Sequence, residues 1–244
     1  MIMRTGGSMA EVVGDTPVVQ LRKVVPAGAA DVFVKLEWFN PTGSYKDRMA
    51  LAMIEEAERR GDLRPGMTVL EYTAVSTGSS LAYVCAAKGY HFKVVTSDAF
   101  AAEKLATMAA LGAELTIVPS EGGKITPDLT PRMIETAREL AADPDVYWTD
   151  QLHNADSLVG YRWVGVELLE QMEQPIDVFC CAVGTSGMAT GVRNALEEGG
   201  SAAKVIIFEP DSSPVISTGQ PGTNSVEGVG IGIVPPLLDL DRFD

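Results

Sequence analysis

The stretch MTVLEYTAVSTGSSLAYVCAAKGYHFKVVTS, residues 67–97, decides the fold. Its β-rich start, 67–72, and its end, 93–97, have the composition of strands. Between them, residues 76–90 are small or apolar and finish at Gly89, which is typical of a helix with a glycine at its end. Parallel strands need a crossover of this kind, so the stretch predicts a βαβ unit.

The same alternation extends in both directions along the chain. Residues 44–61, opened by Ser44 as N-cap with Asp47 as capping partner, predict a helix. The apolar run 176–184 predicts a strand that is buried on both faces. The remaining predicted strands are 31–37, 114–120 and 204–210, and the remaining predicted helices are 101–112, 130–143, 157–172 and 187–198. This order predicts an α/β fold with mainly parallel sheets.

The net charge and the numbers of histidines and cysteines exclude several classes of function. The 244 residues carry a formal net charge of -14, which argues against binding to a nucleic-acid backbone or to an anionic membrane. Only two histidines are present, which excludes a histidine-rich metal site. The three cysteines, Cys85, Cys180 and Cys181, lie in apolar runs and predict buried free thiols in a reducing compartment. With no secretory h-region and no apolar run of membrane-spanning length, we expect a cytoplasmic protein.

Lys46 falls in the first turn of the helix that Ser44 opens, where a cation is disfavoured by the positive end of the helix. One interpretation is a solvated lysine on a tolerant helix end. The other is an amine that loses its proton easily and serves as a nucleophile, since a positive local field lowers the pKa of an amine.

Two other junctions between a strand and a helix are unusual. Residues 71–80, EYTAVSTGSS, offer hydroxyls and free backbone N–H groups that suit a carboxylate, although a plain N-cap explains them equally. Residues 182–191, AVGTSGMATG, form a glycine-rich turn between a buried strand and a helix, which suits a phosphate, although a tight packing corner is the alternative. A nucleophilic lysine, a carboxylate loop and a phosphate cradle together are what a pyridoxal phosphate enzyme acting on an amino acid requires.

Seven segments resemble one known family. They are similar, in family order, to the fold-type II pyridoxal-phosphate enzymes of the cysteine synthase / cystathionine β-synthase family: GDTPVVQL (14–21), NPTGSYKDR (40–48), EYTAVSTGSSLA (71–82), DQLHNAD (150–156), VGTSGMATG (183–191), FEPDSSPV (208–215) and VEGVGIG (226–232).

The resemblance implies a role for each matching residue. Lys46 is expected to hold the cofactor and to move the Cα proton. The phosphate is expected to lie against Gly184, Thr185, Ser186, Gly187 and Met188, and Ser76 against the cofactor's ring oxygen. The substrate carboxylate is expected to lie among Thr73, Ser76, Thr77 and Gln151, with Gly228 near the substrate amino group.

The chain departs from the family pattern at several of these positions. Ser76 stands where the family usually has Asn, Ala74 and Val75 replace Ser and Gly, and Met188 replaces a Thr that binds the phosphate. Family members also continue beyond residue 244, so the resemblance implies that a C-terminal part of the fold is missing, including the residue that meets the pyridine nitrogen.

The implied fold is the tryptophan synthase β-like one, with two three-layer αβα lobes. The smaller lobe is predicted to span 38–152, and the larger one 1–37 plus 153–244. A homodimer is expected, and a serine acetyltransferase is a possible partner of such proteins.

The implied reaction is β-elimination from an O-activated L-serine to an aminoacrylate, followed by addition of sulfide to give L-cysteine. A related β-replacement or elimination enzyme is the first alternative: cystathionine β-synthase, cysteine desulfhydrase or serine/threonine dehydratase. A truncated, non-catalytic family member is the second. A dinucleotide-binding protein is disfavoured, because the glycine spacing at 184–191 is wrong for it and Lys46 stays unexplained.

Overall fold

The structure is a computed structural model that describes residues 7–74, 76–126, 128–222, 224, 226 and 228–243. Strands and helices alternate along most of it. In order they are β1 (Val18–Leu21), β2 (Val32–Lys35), α1 (Lys46–Arg60), β3 (Thr68–Tyr72), α2 (Ser76–Lys88), β4 (His91–Ser97), α3 (Ala102–Ala110), β5 (Glu114–Val118), α4 (Leu129–Leu140), β6 (Val146–Trp148), α5 (Asp156–Gln171), β7 (Val178–Ala182), α6 (Gly187–Glu198), β8 (Lys204–Phe208) and α7 (Val215–Thr218).

Four parallel strands form the central sheet, in the order β5-β4-β3-β6. Because side chains alternate along a strand, β3 packs in two directions. Val69 joins a hydrophobic cluster with α1 and α2, whereas Leu70 and Tyr72 join another that includes Leu129 and Met133 of α4. The result is helices on both faces of a parallel sheet, which confirms the predicted α/β class.

A second parallel pair, β7–β8, packs against α5 and α6 through a third cluster that includes Val164, Val192 and Val205. Helix α5 contacts both α1 and α6. It therefore connects a helix that packs on the four-stranded sheet with a helix that packs on β7–β8. The pair β1–β2 is antiparallel. The four-stranded sheet lies within 38–152 and β7–β8 within 153–244, but the lobe boundaries themselves stay a prediction.

The prediction that β7 is buried on both faces was wrong. Val178 is 45% exposed, and Cys180, on the same face, is also exposed. The neighbouring strand continues this uncovered face, because Ile206 pairs with Cys180 and is 37% exposed. Two of the three cysteines, Cys85 and Cys181, are buried as expected. An apolar run therefore identified the strand correctly but overstated how much of it is covered.

The start of α1 also differs from the prediction. The helix begins at Lys46, and the Ser44 hydroxyl accepts a hydrogen bond from the Lys46 N–H at 3.1 Å. Asp47 does not close a capping box with Ser44. Its carboxylate instead accepts hydrogen bonds from the N–H of Thr42, at 2.8 Å, and from the Thr42 hydroxyl, at 2.5 Å. These bonds join Thr42, in the turn before the helix, to the first turn of α1.

Among the residues described, no helix is both long enough and apolar enough to cross a membrane.

Candidate active site

Lys46 lies inside the protein rather than on its surface. Its residue is 6% exposed, and its Nζ is 3.3 Å from Thr185 Oγ1 in the loop after β7. The rings of Tyr45 and Tyr161 flank the amine, with centroids 5.3 and 6.0 Å from Nζ. The interpretation of Lys46 as a solvated surface lysine is therefore wrong.

Burial lowers the pKa of Lys46 from 10.5 to about 8, and the negative charge of Glu71 opposes part of that change. The positive end of the helix was predicted to be the cause of an easily lost proton. Desolvation of the ammonium group is the main cause in the structure, because a buried site disfavours the charged form. An amine with this pKa is available as a nucleophile or a base near neutral pH.

The glycine-rich loop after β7 lies beside this amine. Lys46 lines one small cavity together with Gly184, Thr185, Ser186 and Met188. The Ser186 backbone has a φ of 66°, and the residue caps the N-terminus of α6. Within the described part of the chain its hydroxyl is buried and has no hydrogen-bond partner. A helix N-terminus with free N–H groups and an unpaired hydroxyl is a suitable place for an anion.

Close backbone packing makes glycine necessary in this loop. A Cβ on Gly184 would lie 2.1 Å from the carbonyl oxygen of Gly228, and one on Gly187 would lie 3.0 Å from a ring carbon of Tyr161 and 3.2 Å from Ser157 Oγ. Gly228 is therefore packed against the loop, and its place near the substrate amino group stays a prediction. Glu227, which precedes Gly228, lies outside the described residues. Val75, in the segment between β3 and α2, also lies outside them.

Met188 has a different use from the threonine that it replaces. Its side chain packs against two of the hydrophobic clusters. A methionine side chain has no donor for an anion, and contact between the Met188 backbone N–H and the phosphate stays a prediction.

The predicted carboxylate-binding residues lie at the carboxyl ends of β3 and β6. Thr77, in the first turn of α2, donates a hydrogen bond from its hydroxyl to Gln151 Oε1 at 2.7 Å. Thr73, Thr77 and Gln151 are buried, whereas Ser76 is exposed. The structure thus brings Thr77 and Gln151 into direct contact, although they are 74 positions apart in the sequence.

Glu71 is a site residue that the sequence analysis missed. It is fully buried, and alternation along β3 turns it toward the same side as Val69 and the layer of α1 and α2. Burial raises its pKa to about 7, against three hydrogen bonds to the carboxylate that lower it. An acidic residue inside the apolar strand MTVLEY was the available signal, because a buried carboxylate is costly and needs partners.

The comparisons with known proteins agree with this geometry. A family model described as pyridoxal-phosphate dependent enzyme matches residues 9–244, so the chain belongs to that family of enzymes. Within the family it is cysteine synthase-like, as predicted. A cysteine synthase of Staphylococcus aureus (strain Mu50) is 40% identical over 247 residues, covering 100% of this chain and 77% of that protein.

Solved structures extend the likeness to the fold. A cysteine synthase from Entamoeba histolytica superposes with a TM-score of 0.90 at 30% identity, covering 99% of this chain and 71% of that one. A hydrogen sulfide-producing enzyme from Fusobacterium nucleatum has a TM-score of 0.91 at 30% identity, covering 100% of this chain and 79% of that one. The predicted fold-type II class and the predicted cofactor, pyridoxal phosphate, are confirmed.

The residues present fit that cofactor. Lys46 supplies a buried amine whose pKa is close to neutrality, and the unpaired Ser186 hydroxyl and the close approach at Gly184 form a cradle for a phosphate. Lys46, Gly184 and Ser186 line the same small cavity, so the amine and the phosphate cradle face each other.

Proposed function

We propose that this chain is a cysteine-forming synthase. The reaction removes the O-substituent of an O-activated L-serine and adds sulfide at the same carbon. For O-acetyl-L-serine, the products are L-cysteine and acetate. One observation carries the proposal: the buried Lys46 amine lies 3.3 Å from Thr185 in the loop at the start of α6, in a chain 40% identical to a cysteine synthase.

Each site residue then has a proposed task. Lys46 holds the cofactor and, when released, takes the proton from the substrate Cα, which its pKa of about 8 favours. Pyridoxal phosphate, when bound, supplies the electron sink for the bond changes at Cα and Cβ. The backbone and hydroxyls of Gly184–Met188 hold the phosphate, and Ser76 faces the cofactor's ring oxygen. Gly228 faces the substrate amino group. The substrate carboxylate is held by hydroxyl and amide groups of Thr73, Ser76, Thr77 and Gln151.

The burial of Lys46 determines where the substrate proton is held. A proton taken up by an uncharged Lys46 amine is held on a residue that is 6% exposed and flanked by the rings of Tyr45 and Tyr161. That arrangement favours delivery of the proton within the site over its loss to solvent. Sulfide then adds as the nucleophile at the carbon that lost the O-substituent.

A visible absorption spectrum with added pyridoxal phosphate is the test. The parent chain should show a cofactor band that Lys46→Ala abolishes and that Lys23→Ala, at an exposed lysine, leaves intact. O-acetyl-L-serine should change the band, and sulfide should restore it with formation of L-cysteine. The absence of a Lys46-dependent band would refute the proposal and favour the non-catalytic alternative. A Lys46-dependent band that O-acetyl-L-serine changes without formation of L-cysteine would also refute the proposal, and would favour a related replacement or elimination enzyme.

Release of sulfide from L-cysteine is a second candidate activity. The hydrogen sulfide-producing enzyme among the structural relatives favours it. The same spectra with L-cysteine in place of O-acetyl-L-serine, together with a sulfide assay, separate the two activities by their relative kcat/KM.

Three further proposals rest on the resemblance and on composition. The protein is a homodimer, it is cytoplasmic, and it accepts the tail of a serine acetyltransferase in its active site. Light scattering measures the first, and competition between a C-terminal acetyltransferase peptide and O-acetyl-L-serine measures the last.

A further inference from the structure

Glu71 is a junction of hydrogen bonds at the end of β3. Its Oε1 accepts from the N–H of Tyr72 at 2.9 Å. Its Oε2 accepts from the Thr149 hydroxyl at 2.7 Å and from the N–H of Gln151 at 2.9 Å. The last two donors follow β6, so the carboxylate joins the ends of two neighbouring strands.

Gln151 connects Glu71 to helix α2 by hydrogen bonds. Glu71 holds its backbone, and its side-chain oxygen accepts the 2.7 Å hydrogen bond from Thr77. Its side-chain nitrogen makes only a 3.5 Å contact with the carbonyl oxygen of Tyr72. The Gln151 side-chain nitrogen can therefore donate a hydrogen bond to a ligand oxygen, while the hydrogen bond from Thr77 holds the side-chain oxygen in place.

We propose that Glu71 is a positioning residue for the substrate carboxylate, acting through Gln151 and Thr77. The inference rests on the proposed function, since it concerns how the amino-acid substrate is held. Glu71 itself does not touch the substrate. Its carboxylate orients the amide and hydroxyl that do.

Only a carboxylate can satisfy all three donors. Glutamine has the same shape, but one of its two terminal atoms is a nitrogen that cannot accept. If that nitrogen takes the place of Oε1, the N–H of Tyr72 loses its acceptor. If it takes the place of Oε2, the N–H of Gln151 loses its acceptor. Either arrangement leaves a buried backbone donor unpaired and loosens the end of a strand.

The first measurement compares Glu71→Gln with the parent, both loaded with pyridoxal phosphate. We expect the KM for O-acetyl-L-serine to rise by about tenfold, the ratio that corresponds to one misplaced hydrogen bond. The affinity for pyridoxal phosphate should change by no more than about twofold, because among the described residues no hydrogen bond joins Glu71 to the lysine or to the phosphate loop. Since the charge of Glu71 acts on Lys46, kcat is measured at several pH values, so that a shifted pH profile of kcat is separated from the rise in KM.

A double-mutant cycle separates positioning from general weakening of the fold. Gln151→Ala alone should raise KM similarly, and adding it to Glu71→Gln should raise KM little further, because both changes remove the same contact. Glu167→Gln is the matched control, since Glu167 is a buried carboxylate that binds Arg48 and Lys35 away from this group. It should lower the melting temperature without changing KM.

Thr149 provides a second pair of variants should Glu71→Gln fail to fold. Thr149→Val removes one donor to Glu71 but leaves its charge, and we expect about a threefold rise in KM for that partial loss. Thr149→Ser restores the hydroxyl and should restore KM.

The outcomes of the two proposals are distinguishable. An unchanged KM in Glu71→Gln, or strictly additive effects with Gln151→Ala, would overturn the positioning role while leaving the synthase proposal intact. If O-acetyl-L-serine is not turned over, the proposed function fails. The same variants are then compared by the spectral change with L-serine, because the carboxylate is common to both ligands. A parent that responds to neither amino acid has no such carboxylate site, and the inference falls with it.

Discussion

Replacing Lys46 with methionine should stabilise the protein without its cofactor, and the gain should depend on pH. The pKa of Lys46 is lowered from 10.5 to about 8 by burial. Between these values the unfolded chain binds more protons at this residue than the folded chain does, so the free energy of unfolding rises with pH. Below about pH 8 the buried ammonium costs the folded state its full penalty. Above about pH 10.5 the amine is neutral in both states and the penalty is gone.

The size of the effect follows from the same pKa difference. The interval from 10.5 to about 8, at about 1.4 kcal/mol for each pKa unit, corresponds to about 3 kcal/mol. The methionine side chain is unbranched like that of lysine, one atom shorter and uncharged, so the variant escapes this penalty. Loss of the 3.3 Å hydrogen bond to Thr185 subtracts about 1 kcal/mol at every pH and does not alter the slope.

Urea unfolding of the cofactor-free parent and Lys46→Met, at several pH values from about 7 to about 10.5, measures this difference. The free-energy difference between the two proteins should shrink by about 3 kcal/mol over that range. Lys23→Met, at an exposed lysine, is the control and should show no such trend. Parallel profiles for the parent and Lys46→Met would refute the reasoning, because they would mean that burial does not lower the pKa of Lys46.

Three further changes test other parts of the structure. Gly184→Ala should weaken binding of pyridoxal phosphate by about tenfold or more in a fluorescence titration, because its Cβ would lie 2.1 Å from the Gly228 oxygen. Arg48→Met should lower the free energy of unfolding by about 3–5 kcal/mol in urea, since it leaves the carboxylate of Glu167 buried without its 2.6 Å partner. Gly160→Ala should cost about 1–3 kcal/mol in the same assay, because the new Cβ would lie 2.2 Å from the carbonyl oxygen of Arg48 where α1 and α5 cross.

Matched variants control these three. Gly7→Ala introduces a methyl group with no contact closer than 3.5 Å, so it should alter neither cofactor binding nor stability. Arg162→Met breaks an exposed ion pair with Glu198 and should cost at most about 1 kcal/mol. Wild-type cofactor affinity in Gly184→Ala would contradict the close approach of Gly184 to Gly228. A cost for Arg48→Met no larger than that for Arg162→Met would contradict the burial of the Arg48–Glu167 ion pair.

Much of the fold was predictable from local pattern. Helix α6 was predicted at 187–198 and is observed at Gly187–Glu198, because a glycine-rich entry and a regular apolar face are both local signals. The short strand β6, Val146–Trp148, was not predicted. Only three residues long, it forms by pairing with β3, which lies far away in the sequence.

The candidate site divides in the same way. Residue type and spacing were enough to find Lys46, the glycine-rich loop and the segment 73–77. Each of them lies at the N-terminus of a helix, which is a local feature of the sequence. The pKa of Lys46 could not be explained from the chain alone, since burial, its main cause, depends on neighbours such as Thr185, 139 positions away. Glu71 was missed for the same reason, because its donors at Thr149 and Gln151 are 78 and 80 positions distant.

The sequence by itself determined most of the strands and helices, the lysine and the loops that could hold an anion. These features follow from periodicity, caps and glycines, which act over a few neighbouring residues. Only the tertiary structure decided that the Lys46 amine is desolvated, that Cys180 lies on an uncovered face and that Glu71 joins β3 to Gln151. Burial and the pairing of polar groups depend on which distant elements pack together, and no local pattern contains that information.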